Sequence, residues 1–426
     1  MREFKRGAKH PDIDLIQLAL VRAGYHPGKI DGMFGPRTGE ALNRFREDRG
    51  MERSEHIVTT DWTALTPFLT GYVRRLIRGG DTFHRLADEF RTSTQAIQTA
   101  NPNLHPESLN VGEMLTIPLG FDLVPTQIRF TSTVLYYVVR GLIARYPKIR
   151  RETIGQSVGG REISVLLFGA GSHQVSFNAS HHGNEWITTP VLLKFLEDYA
   201  QAEAANKQVV GQEANVLYAM STLHLIPMVN PDGVDIAAGA LDSGPEYEYA
   251  TYLAGNYPHI PFPDGWKANT RGVDLNLQYP AGWEQAKEIK FAQGFTKPGP
   301  RDYVGQSALS EPESRALYDY TLRHNFYLTM SYHSQGKVIY WRYLDHLPAG
   351  SEEIGRIFAK LSGYTLEETP FMSGHAGYKD WFILYYDRPS YTIEVGLGEN
   401  PLPVSQFDEI YADNKPMLEL ALVITA

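Results

Sequence analysis

The spacing of apolar residues predicts alternating strands and helices in the second half of the chain. Residues 175–178 form a short run that is typical of a buried strand, and small polar residues follow it. From Ile187 to Tyr199 the apolar residues recur at helical spacing. A second apolar run, residues 225–229, stops at the turn-forming sequence 230–233. This order is typical of α/β enzymes, which place their ligands at the carboxyl ends of strands.

The beginning of the chain shows shorter helical patterns. An amphipathic helix is expected to open at Ile16-Gln17, and a second helix is expected to run to Phe45. Turn formers fill the sequence 24–37 between them, and Thr38 is the expected cap of the second helix. The pattern predicts two short helices joined by a turn-rich segment.

Residues 72–119 are predicted to form a strand, two helices and a second strand. Asp81 or Thr82 is expected to accept hydrogen bonds from the first turn of the first helix. Asn101-Pro102 is expected to end the second helix, because proline cannot continue it. The result is a βααβ module.

These patterns divide the 426 residues into three predicted domains. Breaks are expected near Thr66-Pro67 and at residues 118–120, where turn formers interrupt the periodic segments. The predicted limits are residues 1–71, 72–120 and 121–426. Only the third domain is long enough to bury a large core.

His182, Glu185 and His333 are the residues that indicate a chemistry. Two imidazoles and one carboxylate make a three-ligand zinc site with an open fourth position, which catalytic zinc uses to activate water. One zinc ion is therefore expected, although cobalt often substitutes for it. The alternative is that the neighbouring pair His181-His182 is hydrogen-bonded in a loop and binds no metal.

The order of motifs around these residues resembles the carboxypeptidase A-like zinc metallopeptidases. The resemblance spans roughly residues 121–426 and rests on the sequences 182–186, 266–276, 332–334 and 391–396. It implies a mixed eight-stranded α/β sheet with flanking helices. By the same resemblance, His182, Glu185 and His333 would bind zinc, and Glu394 would be the general base.

The sequence around Glu394 supports that role on physical grounds. It lies in a β-branched and aromatic run that predicts a central strand, where an ionised side chain is costly unless it serves a site. The alternative is an edge-strand carboxylate that faces solvent, since alternating residues would give the same pattern.

The developing oxyanion of a peptidase needs a cation or a hydrogen-bond donor beside it. Relatives use an arginine just after the tryptophan, where this chain has Lys267. Arg271 is the second candidate, and either could instead be a solvated surface cation.

Two departures from the resemblance bear on specificity. The related exopeptidases carry Asn-Arg, and that arginine holds the free terminal carboxylate, whereas this chain has Asn276 followed by Leu277. Leucine cannot provide the planar fork that bidentate carboxylate binding needs. The mobile tyrosine of the exopeptidases has no clear counterpart in the sequence 370–372. Both departures favour cleavage inside a chain, with Asn276 retained for substrate binding.

Residues 373–381 resemble the specificity-pocket segment of the same family. Lys379 stands where the family contacts the substrate side chain, and it is followed by Asp380; both are expected to bind substrate. A lysine there would suit a side-chain carboxylate such as that of diaminopimelate. The alternative is a surface lysine on a glycine-containing loop.

The two amino-terminal modules resemble wall-binding domains. The sequence Asp-Gly-x-Phe-Gly-Pro-x-Thr at residues 31–38 resembles the three-helix peptidoglycan-binding domain, and residues 72–119 resemble a LysM module, which binds N-acetylglucosamine glycans. A helix-turn-helix DNA-binding domain is the competing interpretation of the second module. The net charge of −9, whose acidic excess lies entirely after residue 120, argues against a nucleic-acid partner.

Composition limits the location of the protein without determining it. The chain has no cysteine, so disulfides and cysteine-bound metals are excluded. Residues 1–6 lack the apolar run of a secretory signal, and no segment is apolar enough to span a membrane. We expect a wall-associated or spore-associated protein, with sporulation as one context, whose export from the cytoplasm or mother cell the sequence does not explain.

Together these features predict a zinc peptidase that cuts peptidoglycan stem peptides. The resemblance favours the γ-D-glutamyl-diaminopimelate endopeptidases, and linked binding modules would raise the local substrate concentration. One alternative is a wall-peptide carboxypeptidase that removes a terminal amino acid. Another is a noncatalytic wall-binding protein with a decayed peptidase fold. The sequence leaves the oligomeric state open.

Overall fold

The structure is a computed structural model that describes residues 2–424. Contacts divide the chain into two compact units. The first unit contains the chain up to Arg129 together with Thr133–Arg150, and the second contains Phe130–Ser132 and the chain from Arg151 onward. The predicted limits 1–71, 72–120 and 121–426 stay predictions.

Ten helices and strands lie within residues 2–145. In order they are β1 (Phe4–Lys5), α1 (Pro11–Arg22), α2 (Pro36–Glu47), β2 (His56–Ile57), α3 (Thr59–Thr70), β3 (Tyr72–Leu76), α4 (Phe83–Glu89), α5 (Thr94–Ala100), β4 (Met114–Pro118) and α6 (Ser132–Arg145).

The second unit continues with β5 (Arg150–Gln156), β6 (Glu162–Gly169), β7 (His173–Ala179), α7 (Thr188–Ala204), β8 (Gln208–Val209), β9 (Gln212–Glu213), α8 (Ala214–Met220), β10 (Ser221–Ile226), α9 (Pro231–Ala237), α10 (Pro245–Ala254), α11 (Trp283–Ala292), α12 (Pro312–Leu322), β11 (Leu328–Ser334), β12 (Val338–Tyr340), α13 (Ser351–Ser362), β13 (Thr365–Glu367), α14 (Tyr378–Tyr386), β14 (Ser390–Val395) and α15 (Phe407–Ala421). Short 3₁₀ turns lie at Gly183–Glu185, Leu275–Leu277, Phe371–Ser373 and Val404–Gln406.

Helix α1 begins earlier than the sequence pattern predicts. The expected start at Ile16-Gln17 is wrong, because the His10 side chain accepts a hydrogen bond from the backbone N–H of Asp12 at 3.0 Å and Pro11 occupies the first turn. Gln17 therefore lies inside the helix. Its buried amide accepts from the N–H groups of Asp31 and Gly32, which holds the turn before α2.

Thr38 does not cap α2, contrary to the prediction. Helix α2 begins at Pro36 with Gly35 as its N-terminal cap, because proline is favoured in the first helical turn. Thr38 is therefore inside the helix and buried, and its Oγ1 accepts a hydrogen bond from Gln17 Nε2 at 3.1 Å. The residue joins the two helices.

The predicted βααβ module is present, and its two strands pair with each other. β3 and β4 are antiparallel, and α4 and α5 lie between them in the chain. Thr82 caps α4, since its hydroxyl accepts from the N–H of Arg85, while Asp81 pairs with Arg75. α5 ends at Ala100, just before Asn101-Pro102.

The turn formers at Thr66-Pro67 predicted a break between domains, but the helix continues through these residues. Pro67 lies inside α3, which continues to Thr70. The helix ends at Gly71, whose φ of 70° is the left-handed conformation that glycine adopts at little cost. Conformational freedom at Gly71 decides the end of the helix.

The second unit is built on a mixed eight-stranded sheet, which confirms the predicted fold class. The strand order is β13-β12-β14-β11-β7-β10-β6-β5. β7, β10, β11 and β14 are mutually parallel, while β6 and β12 run antiparallel to their neighbours β10 and β14. Helices flank the sheet, as expected.

Strand β14 has a neighbour on each side, so the edge-strand interpretation of Glu394 is wrong. β14 lies between β11 and β12, and Glu394 is opposite His333 in the register with β11. The central position brings this carboxylate next to a predicted metal ligand.

No helix within residues 2–424 has the length and apolar character that crossing a membrane requires.

One buried ion pair in the first unit gives a test of this fold. Arg46 and Asp61 are 1% and 0% exposed, and Arg46 also donates to the carbonyl oxygens of Ser54 and His56. We expect Arg46→Met to destabilise helices α2 and α3 by about 3–5 kcal/mol, because the substitution leaves Asp61 as an unpaired buried charge. Hydrogen exchange of the helical amides in increasing urea measures the change.

The matched control is Arg44→Met, which removes an arginine of the same helix. Arg44 is 70% exposed and pairs with Glu40 at the surface, so little loss of protection is expected. Equal protection in the two variants would contradict the structural role of the buried pair.

Candidate active site

The candidate site lies where two neighbouring parallel strands end. β7 ends at Ala179 and leads within three residues to His182, and the 3₁₀ turn Gly183–Glu185 follows. His333 is the second-last residue of β11, which pairs with β7. The sequence separates these histidines by 151 positions, and the sheet brings them together.

The turn after β7 packs closely against the start of α9. A Cβ atom at Gly183 would lie 2.3 Å from the carbonyl oxygen of Gly233, so glycine permits this approach. The N–H of Gly183 donates to the carbonyl oxygen of Lys267 at 3.0 Å. The backbone that presents His182 and Glu185 is therefore held from two sides.

The structure brings the three predicted metal ligands into one buried cluster. His182 Nδ1 lies 2.9 Å from Glu185 Oε1, and His333 Nδ1 lies 3.0 Å from Glu185 Oε2. The two Nδ1 atoms are 3.2 Å apart. One potential ligand atom from each residue lies within 4.8 Å of the others.

These separations fit a single zinc ion. Zinc bonds of about 2.0–2.2 Å at tetrahedral angles place neighbouring ligand atoms about 3.3 Å apart. Two imidazole nitrogens and one carboxylate are also the donor set that catalytic zinc sites use. His182, Glu185 and His333 could therefore hold the ion with little rearrangement.

Asp274 orients the first histidine. His182 Nε2 donates to Asp274 Oδ1 at 3.0 Å, so its Nδ1 is available to the metal. Asp274 also accepts from the backbone N–H groups of Asn276 and Asp302. Asp274 was not predicted as a site residue, although its position directly before Leu275-Asn276 was a usable signal.

The carboxylates around His182 favour the protonated form of its imidazole, as the pKa of His182 indicates. Burial alone lowers that pKa, but the carboxylates of Glu185 and Asp274 outweigh burial and raise it to about 9. For Glu185, burial acts upward, yet His182 and Lys267 bring its pKa well below the usual value. Burial lowers the pKa of His333, which favours the neutral imidazole that metals bind.

Glu394 is partly buried beside this cluster. Burial and, next, the charge of Glu185 raise its pKa to about 8. It lines a cavity of ≈ 790 Å³ together with Asn184, Lys267, Arg301 and Ser334. Two of these lining residues are chain neighbours of the predicted ligands, since Asn184 precedes Glu185 and Ser334 follows His333.

The two candidate oxyanion cations have different surroundings. Lys267 lines the cavity, and its Nζ donates to Glu185 Oε1 at 2.8 Å. The side chain of Arg271 is 53% exposed, and its Nη1 lies 3.6 Å from Glu311 Oε2. Sequence reasoning missed another cation, Arg301, because no motif marks it.

The predicted substrate-binding residues have hydrogen-bond partners within the protein. Asn276 Oδ1 accepts from the N–H of Tyr378 at 3.0 Å, and its Nδ2 lies 3.5 Å from His333 Nε2. Lys379 is 3% exposed, so the alternative of a surface lysine is wrong. Its Nζ donates to Asp380 Oδ1 at 2.5 Å and to the carbonyl oxygen of Arg342 at 2.7 Å.

The position of the missing exopeptidase arginine is occupied by a core residue. Leu277 is 8% exposed and packs with Trp283, Val304 and Ala376. An apolar contact replaces a carboxylate-binding group there. The segment 370–372, in which the mobile tyrosine of the exopeptidases has no clear counterpart, contains the exposed side chains of Phe371 and Met372.

Comparison with known families identifies the class of this site. The zinc carboxypeptidase family profile matches residues 135–417, which is more than half of the chain. The chain belongs to this family, and it is a zinc metallopeptidase. A putative peptidoglycan binding domain matches residues 9–54, and a LysM domain matches residues 77–118.

Two bacterial relatives are similar over most of the chain. The gamma-D-glutamyl-L-diamino acid endopeptidase 1 of Lysinibacillus sphaericus is 38% identical over 393 residues, which cover 79% of this chain and 96% of that protein. The uncharacterized protein YqgT of Bacillus subtilis is 38% identical over 288 residues, which cover 67% of this chain and 74% of that protein.

A solved structure supports the fold. The carboxypeptidase A from Helicoverpa armigera matches with a TM-score of 0.52 and 20% identity, covering 71% of this chain and 75% of that one. At this identity the likeness concerns the fold alone.

The contact between Asp274 and His182 makes a prediction about metal affinity. Asp274→Asn removes the charged acceptor that orients the imidazole, so we expect zinc to bind about 10- to 100-fold more weakly. Competition with a chromophoric chelator measures the dissociation constant. Asp345→Asn, at an exposed position, is the control, and an unchanged affinity in Asp274→Asn would contradict the orienting role.

Proposed function

We propose that this metallopeptidase cuts peptidoglycan stem peptides at the bond between γ-D-glutamate and an L-diamino acid. The observation that carries the proposal is the buried cluster of His182, Glu185 and His333, on a chain that aligns with 96% of a relative named for this cleavage. The wall-binding domains at residues 9–54 and 77–118 support the same substrate class.

One zinc ion, held by His182, Glu185 and His333, would serve the reaction. When bound there, zinc would supply the Lewis acidity that polarises the scissile carbonyl group and lowers the pKa of water, so that water loses a proton and becomes a stronger nucleophile. The chain must provide the other functions, which are proton transfer, charge stabilisation and substrate orientation.

Glu394 is our candidate for proton transfer. Its carboxylate lies on the strand beside His333 and lines the cavity, where it would take the proton of the attacking water and pass it to the leaving amine. Its raised pKa suits both steps, because the group holds a proton more readily than an exposed glutamate does.

Lys267 is the better placed candidate for stabilising the oxyanion. Its ammonium group is in the cavity and next to Glu185, whereas Arg271 is half exposed and pairs with Glu311. A cation in a partly buried cavity interacts more strongly with developing charge than one at the surface.

Leu277 supports cleavage inside a peptide. A free terminal carboxylate would find no donor on this buried apolar side chain. Asn276 remains a candidate for substrate orientation, since it is next to both His333 and Tyr378. For Lys379 to bind a diaminopimelate carboxylate, the substrate must replace Asp380 as its partner.

Binding of the amino-terminal domains to peptidoglycan would keep the enzyme at the wall. A linked binder raises the effective concentration of stem peptides at the catalytic domain without a new contact in the active site. Wall association therefore follows from the domains, and a spore-associated location is a further hypothesis.

Digestion of defined muropeptides tests the proposed function. Products of wild type should have the masses expected for cleavage of the γ-D-glutamyl bond, and a chelator should abolish them. Glu394→Gln should lower kcat by about 100- to 10,000-fold, because it removes the proton acceptor, while one zinc per chain is retained. Mass spectrometry and metal analysis provide the two measurements.

Glu353→Gln, at an exposed position of α13, is the matched control and should keep wild-type activity. Release of only a carboxyl-terminal amino acid, with loss of cleavage when that carboxyl group is amidated, would favour a carboxypeptidase instead. Bound zinc without any hydrolysis would favour a noncatalytic wall-binding protein.

A further inference from the structure

Arg301 is a second cation of the catalytic cavity, and the mechanism above gives it no role. Arg301 and Lys267 both line the cavity that contains Glu394. The charge of Lys267 is matched by Glu185, at 2.8 Å. Arg301 instead contacts Asp302, with Nε 2.5 Å from Oδ2. The cavity thus has a positive charge that the metal cluster does not use.

The outer edge of the Arg301 guanidinium group has no hydrogen-bond partner within residues 2–424. Only its Nε donates a hydrogen bond within the described part of the chain, and the side chain is 42% exposed. The remaining donors belong to Nη1 and Nη2. Two such groups in one plane form the fork that matches both oxygens of a carboxylate.

The backbone that carries Arg301 is tied to the metal cluster. The N–H of Asp302 donates to Asp274, the residue that orients His182, and Lys290 Nζ donates to Asp302 Oδ1 at 2.6 Å. Asp302 has a φ of 63°, a conformation that few residues other than glycine adopt. These contacts hold Arg301 in position before substrate arrives, which favours specific binding.

Arg301 also lies outside the position at which related exopeptidases bind a carboxylate. That position is Leu277, which is packed in the core. Among the cations that line the cavity, Arg301 is therefore the one that combines an accessible fork with a partner on its opposite edge.

We propose that Arg301 binds, through Nη1 and Nη2, a free carboxylate that the stem peptide carries beside the cut bond. The inference rests on the proposed function, because a γ-glutamyl bond is made by the side-chain carboxyl group of glutamate and the α-carboxylate therefore stays free on the acyl side of the bond. When the L-diamino acid is diaminopimelate, a second free carboxylate lies on the amine side. Both sources offer the same planar anion, and substrate pairs separate them.

The test uses purified full-length enzyme and two pairs of muropeptides. One pair carries D-glutamate or D-isoglutamine before the cut bond, and the other carries diaminopimelate or lysine after it. Wild type should prefer the carboxylate form of at least one pair by about 10- to 100-fold in kcat/KM, mostly through KM. Arg301→Gln should abolish that preference with unchanged zinc content, and the pair affected identifies the carboxylate.

Two further variants give the matched comparison. Arg301→Lys keeps the charge but lacks the fork, so it should retain only part of the preference. Arg356→Gln removes an arginine that is 71% exposed on α13 and should leave both preferences unchanged. If wild type cuts the substrates without any preference, or if Arg301→Gln keeps every preference that wild type shows, the inference alone is overturned. If wild type cuts none of them, the proposed function fails, and the inference with it.

Discussion

The convergence of two parallel strand ends is the constraint on which the site depends. β7 and β11 pair side by side, and the residues at their carboxyl ends carry His182 and His333. Glu185 reaches both imidazoles because the turn that contains it packs closely at Gly183. Without the sheet, side chains so distant in sequence could not share one ion.

The same arrangement brings several buried carboxyl groups close together, and these groups need positive charge nearby. Glu185, Asp274 and Glu394 place carboxylates in a protected region, and burial of such groups is unfavourable unless positive charge compensates. Lys267 and the proton on His182 provide part of that compensation. A divalent cation would provide the rest, so metal binding and the stability of this region are expected to be coupled.

The sequence was sufficient for the parts of the site that local patterns determine. The motif at His182 and Glu185, together with the family resemblance that added His333, predicted three metal ligands, and the structure brings these three side chains together. The apolar run around Glu394 predicted a central strand, and β14 lies inside the sheet. Asp274 and Arg301 escaped prediction, because their roles depend on hydrogen bonds between segments that only the folded chain brings together. The burial of Lys379 likewise depends on its tertiary partners, which periodicity does not reveal. The start of α1 depends on its cap, His10, and not on the spacing of apolar residues.

Anomalous diffraction from crystals grown with one equivalent of zinc would show where the ion binds. We expect one strong peak at the zinc edge, within bonding distance of Nδ1 of His182, Nδ1 of His333 and the carboxylate of Glu185. A peak elsewhere in the chain, with this cluster empty at full zinc occupancy, would contradict this expectation.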